Sequence, residues 1–263
     1  MNICMFTNTY LPHVGGVARS VWAFSTDLKR RGHRVLVVAP EFPQDEEADG
    51  EGGVQVLRVP AIQNFNGSDF SVRIAVPFVI NEAIDAFGPD VIHSHHPFLL
   101  GDAALRAARR RRKPLIFTHH TLYERYTHYV PIDSPGMKRF VINLSTEYAN
   151  LCHAVVAPSR SVAGLIRERG VRTHIEEIPT GVDLAFFATG NGESFRSEHG
   201  IPREAPVIGH VGRLAPEKNL DYLAEAAAQC LEQRRDLWFA VVGDGPSLEG
   251  IRTLFRERGL AER

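Results

Sequence analysis

Cysteine is scarce. Cys4, Cys152 and Cys230 are three in number, far apart, and form neither a CxxC pair nor a metal-ligand spacing, which argues against a disulfide framework or a zinc module and suits a reducing cytoplasm. No charge of either sign is in excess: 30 Lys and Arg face 31 Asp and Glu, so nothing favours a nucleic-acid partner and any basic contact must be local. Met1 leads through a short apolar stretch into Asn8 and Thr9, which is neither a signal peptide nor a membrane span and leaves peripheral contact as the expected mode at a membrane. The GxGxxG dinucleotide fingerprint is missing as well, which argues against an NAD-dependent dehydrogenase.

What is present is alternation. Short β-rich runs at 3–7, 35–39, 54–59, 91–93, 115–118, 155–157 and 175–178 are mostly separated by helical patterns, the way a parallel sheet with helices on both faces is written. In the first helical pattern Val17, Val21, Phe24 and Leu28 recur at three-and-four spacing up to Gly32, a natural C-cap. This predicts a Rossmann-like domain over 1–187. The apolar pattern then lapses through Thr189, Gly190, Asn191, Gly192 and Glu193, and 188–206 reads as a linker. A second alternation follows, with strands at 207–211 and 238–242 and helices at 220–231 and 247–258. Two strands and two helices make only the first part of a doubly wound domain, so 207–263 is expected to be an incomplete Rossmann-like unit.

Several residues at strand ends can carry chemistry. Gly15 and Gly16 lie between the first strand and a helix, where bare N–H groups and the helix dipole can hold a phosphate, though a plain tight turn explains them equally. His93 and His95 alternate onto one face at the end of their strand. With His96, His119 and His120 they suggest a polar floor for a sugar or diphosphate, a metal site being the weaker alternative. The segment from Thr121 through Tyr123, Tyr126, His128 and Tyr129 suits stacking on sugar rings, or ordinary surface packing. Arg109, Arg110, Arg111, Arg112 and Lys113 end a helix, where a solvated cationic end is the first reading and an anionic membrane surface the second. Arg213 and Lys218 flank a strand's carboxyl end and can neutralise a diphosphate leaving group. Gly243, Asp244, Gly245 and Pro246 form a turn near it.

In series, Gly15-Gly16, the HSH segment at His93 to His95, His120-Thr121, Pro158-Ser159, Pro179-Thr180-Gly181-Val182-Asp183, Gly212-Arg213 with Glu217-Lys218, and Gly243-Asp244-Gly245-Pro246 resemble glycosyltransferase family 4 over essentially the whole chain. The stretch from Thr118 to Tyr126 resembles its diacylglycerol glucosyltransferase branch. The resemblance implies a GT-B fold and retaining transfer of a hexose from a UDP- or GDP-sugar to a lipid or other glycan acceptor, with no metal or other cofactor required. With the cysteine pattern suiting the cytoplasm, a cytoplasmic location is expected, and the resemblance to enzymes that act on a lipid at the membrane surface adds the inner face of the membrane as a further option. By the resemblance Gly15, Gly16, Arg213, Lys218 and Gly245 bind the donor, His95 contacts the transferred sugar, and His120, Tyr123 and Tyr126 border the acceptor. The family's glutamate pair in the donor domain lies beyond Arg263, so this chain by itself is expected to be inactive if it is a truncation. A non-catalytic sugar- or nucleotide-binding module and a nucleotide-sugar epimerase are the competing readings.

Overall fold

The computed structural model describes residues 1–13, 15–41, 53–62, 72–73, 77–129 and 134–263. The chain forms two compact units, Met1–Val182 and Asp183–Arg263.

The first unit is built on β1 (Asn2–Phe6), α1 (Gly16–Arg30), β2 (Arg34–Pro40), β3 (Gln55–Val59), the short antiparallel pair β4 (Ala61–Ile62) and β5 (Val72–Arg73), α2 (Pro77–Phe87), β6 (Val91–Ser94), α3 (Leu100–Arg111), β7 (Leu115–Thr118), a 3-10 turn (Tyr123–Tyr129), α4 (Pro135–Asn150), β8 (Ala154–Ala157), α5 (Arg160–Glu168) and β9 (Ile175–Glu177). Its main sheet has seven strands in the order β3-β2-β1-β6-β7-β8-β9, all parallel. Alternation along β1 supplies both faces: Cys4 and Phe6 enter one core with Ile84 of α2 and Ala104 of α3, while Ile3 and Met5 enter another with Val21 of α1. Covered on both faces, these strands read as near-continuous apolar runs, which makes them visible in sequence.

The chain order reverses between β1 and β6. The helices that follow these two neighbouring strands cover opposite faces, α1 on one and α3 on the other, and in open α/β sheets ligands bind beside the strands' carboxyl ends at such a reversal.

The second unit contains α6 (Leu184–Ala188), α7 (Gly192–Glu198), β10 (Val207–Val211), a 3-10 turn (Pro216–Lys218), α8 (Leu220–Gln233), β11 (Trp238–Val242) and α9 (Leu248–Glu257). β10 and β11 pair in parallel over Val207↔Trp238 to Val211↔Val242. Leu220, Ala224, Ala228, Leu231, Ile251 and Phe255 of the two longer helices form its core. No residue of either strand is fully buried, and Val211 is 80% exposed. The stretch 188–206, expected as a linker, contains α7, started by Asn191, whose Oδ1 accepts from the Ser194 N–H at 3.0 Å. With no buried residue, α7 leaves no apolar period in the sequence.

Candidate functional site

The loops leaving β1 and β6 are joined by one side chain. The Asn8 Nδ2 group donates to the Phe98 carbonyl at 3.2 Å, its Oδ1 accepts from the Leu100 N–H at 3.0 Å, and its own backbone N–H donates to His96 Nδ1 at 3.1 Å. Asn8 thus supplies the cap of α3 from another strand's loop, where the preceding Leu99 provides none and holds φ at 57°. Ser94 Oγ donates to the His96 carbonyl at 2.7 Å. A Cβ on Gly101 would stand 1.8 Å from that same carbonyl oxygen, so only glycine lets α3 approach the turn. Neither Asn8 nor Gly101 was among the residues that sequence reasoning selected. A glycine in the first turn of a helix is a signal for close approach, whereas a single loop asparagine carries none.

The five histidines expected as one polar floor fall into two groups. His93 and His95 lie beside Phe24 of α1, at ring-centroid distances of 6.2 and 6.3 Å. Their rings are 4.1 Å apart; His93 Nε2 meets Thr118 Oγ1 at 2.7 Å and His95 Nδ1 meets His120 Nε2 at 2.9 Å. His96 and His119 instead pack around Tyr123, at 6.5 and 5.7 Å. Burial is the leading cause that keeps all five neutral: it lowers His93 and His96 to about 3, His119 and His120 to about 4, and His95 well below its ordinary value, with neighbouring histidines adding repulsion except at His119, where the neighbouring Arg169 cation does. His95 is fully buried and its Nε2 has no hydrogen-bond partner within the protein. A buried nitrogen of this kind is satisfied by an ordered water or by a ligand group. Among the described residues no group of three or more His, Cys, Asp or Glu is arranged to hold a metal ion.

Gly15 is the N-cap of α1 in extended backbone and gives it no side-chain cap, while a Cβ on Gly16 would meet open space. The first turn of α1 therefore presents N–H groups without a side-chain acceptor, the arrangement that binds anions.

Tyr123 was expected to border an acceptor, but its ring belongs to the core, 5.2 Å from Phe98, and its hydroxyl has no protein partner. Burial pushes that hydroxyl far above its ordinary pKa, and the ring packs in the core. Tyr126 is half-buried on the same turn, and the side chains of His128 and Tyr129 lie outside the described residues. Glu124 anchors the turn through Arg169 at 2.7 Å. The basic run also divides. Arg111 is 9% exposed; it donates to Asp85 Oδ1 at 2.8 Å and to the Asn81 carbonyl at 2.9 Å. Arg111 thus ties α3 to α2 and is withdrawn from the set that could meet a membrane, while Arg109, Arg110 and Arg112 are exposed.

In the second unit the turns after β10 and β11 interlock. The Gly212 N–H donates to the Val242 carbonyl at 2.9 Å, the Leu214 N–H to the Asp244 carbonyl at 2.8 Å, and the Ser247 N–H to the Leu214 carbonyl at 2.9 Å. Burial of Leu214 and Ala215 turns the segment so that Arg213 and Lys218 are exposed on either side. A Cβ on Gly245 would lie 2.3 Å from the Leu214 carbonyl oxygen, so this glycine has a packing reason of its own. Among the described residues no helix is long and apolar enough to cross a membrane.

The Glycosyltransferase Family 4 model matches residues 14–186, and the Glycosyl transferases group 1 model matches 191–263. An alpha-monoglucosyldiacylglycerol synthase of Streptococcus pneumoniae is 29% identical across 96% of this chain and 58% of its own length. A GDP-mannose-dependent alpha-mannosyltransferase of Mycolicibacterium smegmatis is 33% identical across 97% of this chain and 66% of its own. The chain thus spans roughly three-fifths of the length of these curated relatives. Among solved structures, Anabaena HepE in complex with UDP-glucose superposes with a TM-score of 0.74 at 17% identity, covering 99% of this chain and 66% of that one. Sucrose-phosphate synthase of Thermosynechococcus elongatus gives 0.72 at 18%, covering 100% and 69%. With a parallel seven-stranded sheet, glycosyltransferase neighbours of GT-B architecture and a family model running through most of its length, the chain belongs to glycosyltransferase family 4.

Proposed function

We propose that this chain supplies the acceptor-side unit and the opening of the donor-side unit of a retaining hexosyltransferase that moves a hexose from a UDP- or GDP-sugar to a lipid or other glycan acceptor. The observation that carries the reading is His95: a neutral, fully buried imidazole whose Nε2 has no protein partner, at the switch point where open α/β sheets take their ligands. A sugar hydroxyl, which can both donate and accept, suits that nitrogen in either of its neutral tautomers. The names of the relatives, a glucosyl- and a mannosyl-transferring enzyme, agree with a hexose.

In this reading the acceptor oxygen forms its bond to the anomeric carbon on the face from which the diphosphate oxygen departs, and the acceptor's proton passes to that departing oxygen. Arg213 and Lys218 stabilise the charge that develops on the diphosphate, a task that two cations perform without a metal. The uncapped turn at Gly15 and Gly16 offers backbone N–H groups of the kind that hold a phosphate. Gly245 shapes the turn beside Arg213, and His120 and Tyr126 remain as the acceptor-side candidates. A lipid acceptor would be met from the cytoplasmic side, with Arg109, Arg110, Arg112 and Lys113 facing anionic headgroups.

Product mass tests this directly. Incubation of the full-length protein that carries this chain with UDP- and GDP-hexoses and a diacylglycerol or glycan acceptor should add one hexose to the acceptor. Conversion of the donor to an isomer in the absence of acceptor, with no adduct in its presence, would replace the transferase by an epimerase.

A further inference from the structure

The turn Tyr123–Tyr129 is a 3-10 run of seven residues, and 3-10 geometry holds few residues beyond three or four by its own hydrogen bonds. Its support comes from outside. Tyr123 is sunk in the core beside Phe98, Thr127 is buried with its Oγ1 donating to the Glu124 carbonyl at 3.1 Å, and α4 packs along the turn. The remaining tie is ionic: Arg169 donates to Glu124 Oε1 at 2.7 Å, with the two side chains only 19% and 13% exposed. Arg169 itself stands on a fixed base. It closes α5, its N–H donating to the Leu165 carbonyl at 3.1 Å, and the N–H groups of Gly170, at a φ of 100°, and Val171 donate back to the carbonyls of Arg167 and Ile166 at 2.9 and 3.0 Å. α5 in turn packs on β8 and β9, so the ion pair fastens the turn to the sheet. His119, at the end of β7, feels both charges behind the larger effect of burial, the Arg169 cation lowering its pKa and the Glu124 carboxylate raising it. Residues three apart in a 3-10 helix stand one above the other, so half-buried Tyr126 rides on the column of Tyr123. We propose that Arg169 and Glu124 are a positioning pair for acceptor binding: neither meets the acceptor, and their bridge keeps the turn docked so that Tyr126 holds its place for an incoming hydroxyl-bearing substrate. An ion pair so far from water is sensitive to a single loss. Removing one member strands the other's charge, whereas replacing both with apolar side chains leaves no charge to desolvate.

The inference rests on the transferase reading for Tyr126 as an acceptor-side residue, but the docking of the turn can be read without any substrate. The full-length protein that carries this chain should be compared as wild type, Arg169→Met, Arg169→Lys and the Glu124→Leu, Arg169→Met double variant. In Arg169→Met the amides of 122–129 should exchange with deuterium faster by roughly tenfold or more, the worth of one hydrogen bond to a charged group, while those of β1 and β2 keep their wild-type protection. Acceptor KM should rise by about twofold to tenfold as the docked fraction falls, with donor KM unchanged. The double variant, which strands no charge, should return both readouts toward wild type, and Arg169→Lys, which keeps a cation, should lie between wild type and Arg169→Met. If Arg169→Met does not fold, Arg169→Lys against wild type carries the same two readouts. Unchanged exchange over 122–129 in the single variants would overturn the proposal. So would faster exchange with acceptor KM unaltered, the mark of a pair that serves structure alone. A wild-type protein that transfers no hexose yet shows the exchange pattern would contradict the transferase reading and leave the docked turn standing.

Discussion

A Cβ on Gly243 would lie 1.9 Å from the carbonyl oxygen of Gly212, so the turns that leave β10 and β11 touch backbone to backbone. Gly243 and Gly245 also hold φ at 150° and 148°, where a side chain is strained whatever the space. Gly243→Ala and Gly245→Ala should each destabilise the second unit by about 1–3 kcal/mol, read from urea unfolding by the fluorescence of Trp238 in β11. Gly16→Ala is the opposite case. Its Cβ meets nothing within 4 Å, so stability should stay within about 0.5 kcal/mol while donor KM rises if the N–H groups there meet phosphate. A stable Gly243→Ala variant would contradict the interlocked turns.

Arg111 and its neighbours should behave differently although they look alike in sequence. Its guanidinium bonds Asp85 and Asn81 from a nearly buried position, so Arg111→Ala should cost about 1.5–3 kcal/mol, the range for hydrogen bonds to a charged group. Arg109→Ala with Arg112→Ala should leave stability within about 0.5 kcal/mol and weaken sedimentation with anionic vesicles, if this helix end meets a membrane. Equal thermal midpoints for all these variants would show that Arg111 is one more solvated cation.

The chain pattern revealed the sheet because its strands are buried on both faces, and it revealed the HSH segment because alternation puts His93 and His95 on one side. It could not separate Arg111 from Arg110, because one of four consecutive arginines is drawn inward only by partners on α2. Asn8 was invisible for the same reason: its partners lie 88 to 92 residues away. α6 and α7 have no buried residue, so they leave no apolar period to detect. Tyr123 was chosen for its composition, and its neighbours Phe98 and His119 decide that it packs.

The buried histidines predict acid sensitivity. Each has a folded-state pKa below its ordinary 6.5, at about 3 or 4 for His93, His96, His119 and His120, so between about pH 6.5 and 4 the unfolded chain binds more protons than the folded one. Stability is complete above pH 6.5 and falls as pH drops through that window, by on the order of 1–2 kcal/mol for each deeply buried histidine at pH 5. Urea midpoints measured through Trp22 in α1 should fall steeply from pH 7.5 to 5. Proton uptake of less than one per molecule on unfolding at pH 5.5 would contradict neutral burial of the cluster.

The most direct measurement is hexose transfer by the full-length protein that carries this chain, compared with its Arg213→Ala, Lys218→Ala double variant, followed by product mass with separate kcat and donor KM. If these cations stabilise the departing diphosphate, each single substitution should slow turnover by roughly 100-fold or more, as loss of one preorganised contact to developing charge does, with a smaller change in donor binding. His95→Ala should slow it less. Wild-type turnover in the double variant would contradict the proposed donor site.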